Sequence, residues 1–201
     1  MSATERAAPM QKVSPEISAE NLEFLCRTVY ENSGIVLDES KSYLIEARLA
    51  PVARDEGVDT LDSLCKLLKA VTAKALRIKV VEAMTTNETF FFRDLRPFEA
   101  LRDHILPELT ASSPKRTLRV WSAASSSGQE AYSLAMLWKE MNLPGWDLKI
   151  VGTDISDEML GRCRAGRYRQ LEVNRGLPAR YLVKYFDPVE TDWSSSRNCV
   201  R

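Results

Sequence analysis

The chain has 201 residues, 44% of them apolar and 28% charged, which is the composition of an ordinary globular protein of one or two small domains. Its 28 basic and 28 acidic residues cancel, so the overall charge suggests neither nucleic acid nor an anionic membrane as partner. With four scattered cysteines and a single histidine, His104, a metal site or a Cys/His nucleophile pair is poorly supported. The start has no apolar signal segment, and no run approaches the ~20 apolar residues that cross a bilayer, so we expect a cytoplasmic protein without membrane insertion.

The first part of the chain predicts helices. Residues 1–14 are small and polar and predict a disordered tail, whereas the apolar spacing over 15–84 predicts a small all-helical domain. We expect Gly34 to end the first helix and Pro51 to be a candidate interruption of the second. The four expected helices run from Ser18 to Ser33, from near Asp38 towards Gly57, from about Leu61 to Ala70 and from about Ala73 to Met84.

The pattern changes in the last part of the chain, residues 98–201. Leu118–Ala123 and Leu148–Asp154 predict short strands, and each is followed by a predicted helix, the first over 128–141 and the second capped by Ser156. Strand, helix, strand, helix is the beginning of a doubly wound α/β sheet. A ligand is therefore expected at the carboxyl ends of these strands.

A turn of small residues, Ser122–Glu130, joins the first predicted strand to its helix. Small residues at this position let a ligand approach the backbone and its free N–H groups, which favours a nucleotide-like ligand. Gly128 is the only glycine of the turn, so the segment is not a GxGxxG motif, and a plain small-residue helix start is the alternative.

Two acids accompany this turn. Asp154 ends the second predicted strand, where a carboxylate can accept both hydroxyls of a ribose, although a capping acid for the next helix is about as plausible. Glu130 stands in the first turn of a helix, where an acid is often only a partner of the helix dipole. Together with the turn, Asp154 favours a ribose-bearing cofactor.

The linker between the two parts, residues 85–97, is unusual. It contains three consecutive aromatic residues, Phe90–Phe92, among hydrogen-bonding residues. One interpretation is an interdomain plug, in which Phe90–Phe92 are buried against the second domain.

Three segments resemble the CheR-type chemotaxis receptor methyltransferases. Met84–Asp94 resembles the family segment that joins a helical N-terminal domain to the methyltransferase domain. Val120–Ser133 is similar to the family's cofactor loop, and Val151–Leu160, continuing to Tyr168, resembles its acidic ribose-binding motif. Three ordered motifs at matching spacing are much stronger than any one of them, and the resemblance runs from about residue 18 to the end. It implies a Rossmann-like methyltransferase sheet preceded by a small all-α domain.

Carried over position by position, the resemblance implies binding of S-adenosylmethionine by Asn87, Thr89, Arg93, Glu130 and Asp154. Asp154 would hold the ribose hydroxyls, and Glu130 would face the positively charged methionyl part. The implied reaction methylates glutamate side chains of chemotaxis receptors and gives glutamyl methyl esters and S-adenosylhomocysteine. A glutamate is ionised at pH 7, so no general base is needed. Arg93 is expected to orient the incoming glutamate, with an interdomain salt bridge as the alternative.

The sequence departs from the family pattern in the cofactor loop. Many members have Thr, Glu and Pro where this chain has Ser127, Gln129 and Ala131. Gln129 removes a charge beside the site, but Glu130 is kept, so this change alone is not expected to abolish binding.

The family's helical domain contacts the receptor through a basic helix. Lys41 and Arg48 are one heptad apart and hence on one face of the predicted second helix, with Arg54 further along. Such a face would attract the acidic helices of methyl-accepting receptors. A plain solvated surface is the alternative, because three acids dilute the face: Asp38, Glu39 and Glu46.

The predicted sheet is incomplete. A full methyltransferase sheet of this family has about seven strands, of which two are predicted here, and residues 168–193 correspond to a small inserted subdomain. We therefore expect a C-terminally truncated, monomeric chain whose sheet is marginal alone and which binds the cofactor weakly or not at all.

Two functions compete on this evidence. One is a receptor glutamate methyltransferase, and the other is a non-catalytic receptor-binding remnant that keeps the helical domain. A different nucleotide-dependent enzyme on a Rossmann-like sheet is disfavoured, because the linker motif matches so specifically.

Overall fold

The computed structural model describes residues 17–37, 39–70 and 72–196, and the predicted tail lies outside them. The chain divides into two compact units, one that ends at Thr86 and one that begins at Asn87. The residues predicted as a linker fall on both sides of this boundary, and the stretch from Asn87 to Arg93 belongs to the second unit.

The first unit is built from helices at the four expected places. Gly34 has a left-handed φ of 73° and ends the first helix, as expected. Pro51 lies inside the second helix without ending it, and Asp38, the expected start of that helix, lies outside the described residues. The elements are α1 (Ala19–Ser33), a 3-10 turn (Glu39–Lys41), α2 (Ser42–Asp55), α3 (Leu61–Leu68) and α4 (Lys74–Met84).

One apolar core holds these helices together. The spacing of the apolar residues brings one face of each helix inward, so that most core side chains are almost completely buried. Its members are Leu25, Val29, Ile45, Leu49, Ala53, Leu61, Leu64, Cys65, Leu68, Leu76, Val80 and Met84.

Two helix starts of this unit are stabilised differently. Thr60 caps α3, because its hydroxyl accepts a hydrogen bond from the Ser63 amide at 3.1 Å. Ser18 occupies the N-cap position of α1 but makes no cap bond through its side chain. Its amide and hydroxyl donate instead to the Asp62 carboxylate, at 3.0 and 3.1 Å, which ties the start of α1 to α3.

The second unit contains the predicted strands and helices. Ser156 caps the helix after the second strand by accepting a hydrogen bond from the Met159 amide at 3.3 Å, as expected. The sequence did not predict the helical stretch that precedes the first strand. The elements are α5 (Arg96–Ala100), a π-helical turn (Leu101–Ile105), α6 (Leu106–Ser112), β1 (Thr117–Ala123), α7 (Gln129–Met141), β2 (Asp147–Thr153) and α8 (Asp157–Ala165).

The strands β1 and β2 pair in parallel, with Thr117 opposite Asp147 and Ala123 opposite Thr153. A parallel pair joined by a helix is the unit of a doubly wound fold, so the predicted incomplete Rossmann-like sheet is confirmed. Both strands end at the same edge, which brings the segments that follow them together.

The two faces of this sheet differ. Leu118 and Val120 of β1 pack with Leu148 and Ile150 of β2 against the core that α7 also joins. The alternate positions point the other way, and there Trp121 is 71% and Val151 59% exposed.

A small antiparallel sheet follows α8. Its strand order is β3-β5-β4, with β3 (Arg167–Arg169), β4 (Phe186–Val189) and β5 (Asp192–Ser195). Two short helices, α9 (Gln170–Asn174) and α10 (Ala179–Tyr185), lie between β3 and β4 in the chain. Tyr168 of β3 is 1% exposed, and its ring packs edge-on against Phe91 at 5.0 Å and Phe186 at 6.0 Å. This compact subdomain, which we call the β-subdomain (residues 167–195), stands where the resemblance implied an insertion.

Over the described ranges, no helix has the length and apolar character needed to cross a membrane. Within those same residues, no cluster of three or more His, Cys, Asp or Glu side chains is arranged to hold a metal ion.

Candidate functional site

The segments that follow β1 and β2 are joined by one carboxylate. Asp154 accepts hydrogen bonds from two backbone amides, that of Ser126 at 2.7 Å and that of Ser156 at 2.9 Å. The Ser125 amide also donates to the Thr153 carbonyl at 2.9 Å. Asp154 thus caps the turn before α8, which was the alternative considered for it, and at the same time fixes the turn after β1.

The turn after β1 is buried and tightly folded. Ser125, Ser126 and Ser127 are at most 5% exposed. Ala124 and Ser126 have left-handed φ values of 54° and 48°, which residues other than glycine rarely adopt. Residues held in such conformations cluster at ligand sites, where the surrounding contacts must compensate the strain.

Gly128 is required where the turn enters α7. Its φ of 95° is left-handed, and a Cβ there would lie 2.5 Å from the Cys163 sulfur and 3.3 Å from the Tyr168 hydroxyl. Tyr168 in turn donates to the Ser127 carbonyl at 2.8 Å. The turn is therefore held from behind by α8 and by the β-subdomain.

Glu130 stands in the first turn of α7 and is exposed. Its carboxylate accepts a hydrogen bond from the Ser122 hydroxyl at 2.7 Å, which holds it beside the end of β1. Gln129, the residue that departs from the family pattern, is only 2% exposed and accepts from the Ser127 hydroxyl at 2.8 Å. Its side chain therefore supports the turn rather than presenting a group to a ligand.

The stretch from Asn87 to Arg93 is bonded to the turn after β1 near one end and to α7 near the other. The Asn87 carbonyl accepts from the Ser126 hydroxyl at 2.8 Å. The Phe92 amide donates to the buried Ser133 hydroxyl of α7 at 2.9 Å. Between them Phe91 is 0% exposed, so part of the aromatic run is a plug, as one interpretation held, but it lies within the core of the second unit.

Four side chains form a surface cluster next to this stretch, which we call the Phe90 cluster: Glu88, Phe90, Arg93 and Arg175. The Arg93 guanidinium donates to the Glu88 carbonyl at 3.1 Å and lies 5.5 Å from the Phe90 ring centre. The Arg175 guanidinium lies 4.4 Å from the same ring centre and pairs with the Glu88 carboxylate at 2.5 Å. Its hydrogen bond and its charge lower the pKa of Glu88 below the ordinary value.

The predicted cofactor residues thus fall into two groups. Asn87, Glu130 and Asp154 are brought to the turn after β1, where backbone contacts or hydroxyl groups hold them. Arg93 lies at the exposed end of the same stretch, in the Phe90 cluster. Thr89 is half-buried and stands between Asn87 and Arg93 in the chain.

This arrangement fits a ribose-bearing cofactor. A carboxylate has about four acceptor positions, and the two backbone amides use only part of the capacity of Asp154, so it can still accept from two vicinal hydroxyls. Ala123 and Ala124, where β1 passes into the turn, are exposed, so a ligand can approach the backbone there. Glu130 supplies a negative charge that suits a cationic ligand.

Sequence reasoning did not identify the residues that fasten the site. Ser126 and Ser133 lie within the cofactor motif, but nothing in the motif tells which serine holds which segment. Arg175 is 87 residues from Glu88 in the chain and has no local pattern around it, so only the folded structure pairs them.

The three basic residues predicted to meet a receptor lie in the first unit. Arg48 is half-buried, and its guanidinium donates to the carbonyls of Met84 and Thr85 at 2.8 and 2.9 Å, so it caps the end of α4. Lys41 lies 3.5 Å from the Val36 carbonyl, and Arg54 is exposed in the last turn of α2. Arg48 therefore has a structural task besides any task at a surface.

Comparisons with known proteins agree with this geometry. Residues 20–85 match the family described as CheR methyltransferase, all-alpha domain, and residues 87–199 match that described as CheR methyltransferase, SAM binding domain. Chemotaxis protein methyltransferase Cher2 of Pseudomonas putida is 42% identical over 179 residues, which cover 86% of this chain and 65% of that protein.

Two further relatives carry similar names. Chemotaxis protein methyltransferase 1 of Vibrio cholerae is 44% identical over 176 residues, covering 85% of this chain and 63% of the relative. The chemotaxis protein methyltransferase of Salmonella typhimurium is 33% identical over 163 residues, covering 81% and 54%. The chain therefore spans about two thirds or less of the length of these relatives.

Proposed function

The chain belongs to the CheR methyltransferase family, and we propose that it uses S-adenosylmethionine to methylate glutamate side chains of chemotaxis receptors in the cytoplasm. The products are glutamyl methyl esters and S-adenosylhomocysteine. The observation that carries the proposal is the junction at Ser126, whose amide donates to Asp154 and whose hydroxyl donates to the Asn87 carbonyl. Segments from three motifs meet there, as one cofactor site requires.

The roles of the residues follow from their chemistry. Asp154 accepts from the ribose hydroxyls, and Glu130 offers a carboxylate to the cationic methionyl end. Asn87 and Thr89 add polar groups from the stretch fastened to the turn. The bound cofactor supplies a methyl group that its sulfonium already activates.

Arg93 is proposed to orient the substrate glutamate. Charge is neutralised as carboxylate and sulfonium meet, so a cation on the carboxylate does not favour the transition state over the ground state. Its contribution is therefore position, and the glutamate carboxylate, already ionised at pH 7, needs no general base.

The test is calorimetric titration of the chain with S-adenosylhomocysteine, which occupies the site without turnover. We expect Asp154→Ala to weaken binding at least about tenfold, because hydrogen bonds to a charged group are each worth roughly 1.5–3 kcal/mol. The matched control is Asp157→Ala, which removes an exposed carboxylate from the first turn of α8.

The outcomes separate the possibilities. Binding that is lost in Asp154→Ala and kept in Asp157→Ala supports the proposal, and methylation of receptor fragments is then the next assay. Equal binding by both variants contradicts the assignment of Asp154. A melting curve of each variant shows whether a loss comes from the site or from unfolding.

A receptor-binding remnant without catalysis is the second candidate. It is favoured by a difference between the two units. The core of the helical unit is almost completely buried, whereas Trp121 and Val151 leave one face of the sheet exposed. A chain that binds receptor fragments but not S-adenosylhomocysteine would support this candidate. Lys41 and Arg54 are the proposed contacts, and receptor binding that is insensitive to salt would count against them.

A further inference from the structure

The β-subdomain meets the Asn87–Arg93 stretch backbone to backbone. Gly176 has a left-handed φ of 86°, and a Cβ at this position would collide with the Phe91 carbonyl oxygen. The chain at Arg175 and Gly176 is therefore placed directly against the stretch that carries Arg93. A side chain at position 175 can act on that stretch without any intervening element.

Arg175 makes two contacts with the stretch, and they differ in kind. Its guanidinium pairs with the Glu88 carboxylate at 2.5 Å and lies 4.4 Å from the Phe90 ring centre. The planar guanidinium can do both at once, because its edge donates hydrogen bonds while its face stacks on a ring.

Arg93 shares both partners with Arg175. It donates to the Glu88 carbonyl at 3.1 Å and lies 5.5 Å from the Phe90 ring centre. The position of Glu88 and Phe90 therefore limits where Arg93 can be.

We propose that Arg175 is a positioning residue, which holds Glu88 and Phe90 and through them keeps Arg93 in one place. The importance of this for catalysis rests on the proposed function, in which Arg93 orients the substrate glutamate. The β-subdomain then serves the cofactor site directly, since it supplies the residue that orders one of the site's segments.

The positioning is tested first without any ligand, by hydrogen exchange and mass spectrometry on the whole chain. We expect Arg175→Ala to speed exchange of peptides over residues 87–93 about fivefold, the effect of one exposed ion pair and one cation–π contact. The Phe92 amide, bonded to the buried Ser133 hydroxyl, is the protected reporter in this stretch.

Arg167→Ala is the matched control, since Arg167 is exposed in the same β-subdomain and its guanidinium pairs there with the Asp192 carboxylate at 3.8 Å. It should leave exchange at 87–93 unchanged. Unchanged exchange in Arg175→Ala would overturn the proposal, and so would an equal acceleration throughout α7, which would show general loosening of the unit.

The link to Arg93 is tested by S-adenosylhomocysteine affinity. Arg175→Ala should weaken binding about fivefold alone but twofold or less in an Arg93→Ala background, because the two act as one unit. The same factor in both backgrounds would show that Arg175 acts without Arg93. Failure of the unchanged chain to bind would defeat the proposed function, while the exchange experiment would still decide whether Arg175 orders the stretch.

Discussion

The two units of the chain bury their apolar surface to different degrees. The helical unit encloses its core, where side chains such as Leu25, Leu49 and Leu64 are at most 1% exposed. The second unit covers one face of its two-stranded sheet, while Trp121 and Val151 on the other face are 71% and 59% exposed.

A site can therefore be well ordered on a sheet of which only one face is covered. Its buried serines, the hydrogen bond from the Ser126 amide to Asp154 and that from the Tyr168 hydroxyl to the Ser127 carbonyl fix the turn after β1. Two strands with one covered face are marginal in isolation, so we expect the second unit to be the less stable of the two.

The largest expected effect is that of a core substitution confined to the helical unit. Leu64→Ala should lower its free energy of unfolding by about 2–5 kcal/mol, since a fully buried leucine leaves a cavity. Urea unfolding is followed by far-UV circular dichroism, to which both units contribute, and by tryptophan fluorescence. All 4 tryptophans lie after Asn87, so fluorescence reports the second unit alone.

Leu67→Ala is the control for this substitution, because Leu67 is on the same helix but 39% exposed, and its removal should cost much less. We expect Leu64→Ala to shift the part of the circular-dichroism transition that comes from the helical unit to lower urea concentration. The fluorescence transition should stay at the same urea concentration. An equal shift of both transitions would show that the two units unfold together. They would then have no separate stabilities to compare.

A smaller effect is expected at the carboxyl end of α4, which Arg48 caps. Arg48→Ala should destabilise this unit by about 1.5–3 kcal/mol, because it leaves the half-buried carbonyls of Met84 and Thr85 without a charged donor. Urea unfolding by circular dichroism measures the change, and Arg54→Ala on the exposed surface is the control. If Arg48→Ala weakens receptor binding without loss of stability, its role is at the receptor after all.

The enclosed core also predicts a dependence on pH. Burial raises the pKa of the Cys65 thiol to about 11, with a smaller contribution from the charge of Asp62. The folded chain therefore keeps this proton after the unfolded chain has lost it, so stability is unaffected below about pH 9 and falls between about pH 9 and 11, by at most about 1.4 kcal/mol per pH unit.

Cys65→Ala removes this contribution and is the reference for it. The stability advantage of the unchanged chain over Cys65→Ala should shrink as the pH rises through this range. A constant difference between the two, measured by urea unfolding at each pH, would contradict an enclosed thiol.

The sequence predicted the long elements of both units because they carry a regular apolar spacing. The helices α1 to α4, the strands β1 and β2 and the helix α7 begin and end within a few residues of expectation, and α8 begins after its expected cap, Ser156. The stretch from Arg96 to Ser112 was missed, because short helices around a π turn have no single period. The strands β3 to β5 have only three or four residues each, so pairing rather than local pattern creates them.

The candidate site was predictable to the level of motifs. The resemblance indicated which residues to expect there, and the register of β1 and β2 brings Asp154 to the turn. The contacts that fasten the site were not predictable, because they join residues far apart in the chain, as Arg175 and Glu88 are. Nor does composition show that Arg48 of α2 closes the end of α4.

The smallest expected effect concerns the strain in the turn after β1. Ala124 has a φ of 54°, a conformation that costs a non-glycine residue roughly 1–2 kcal/mol. Ala124→Gly removes this strain but adds about 0.5–1 kcal/mol of chain entropy to the unfolded state, so the net gain should be about 0.5 kcal/mol. The gain belongs to the second unit and should appear in the fluorescence transition alone.

Ala123→Gly is the control for this substitution, because Ala123 is the last residue of β1 and lies outside the left-handed region. There the added chain entropy has nothing to offset it, so this variant should lose stability. If both glycine variants lose stability equally, the turn after β1 is relaxed at Ala124. The lower stability of the second unit would then come from its half-covered sheet alone, and strain at Ala124 would not contribute to it.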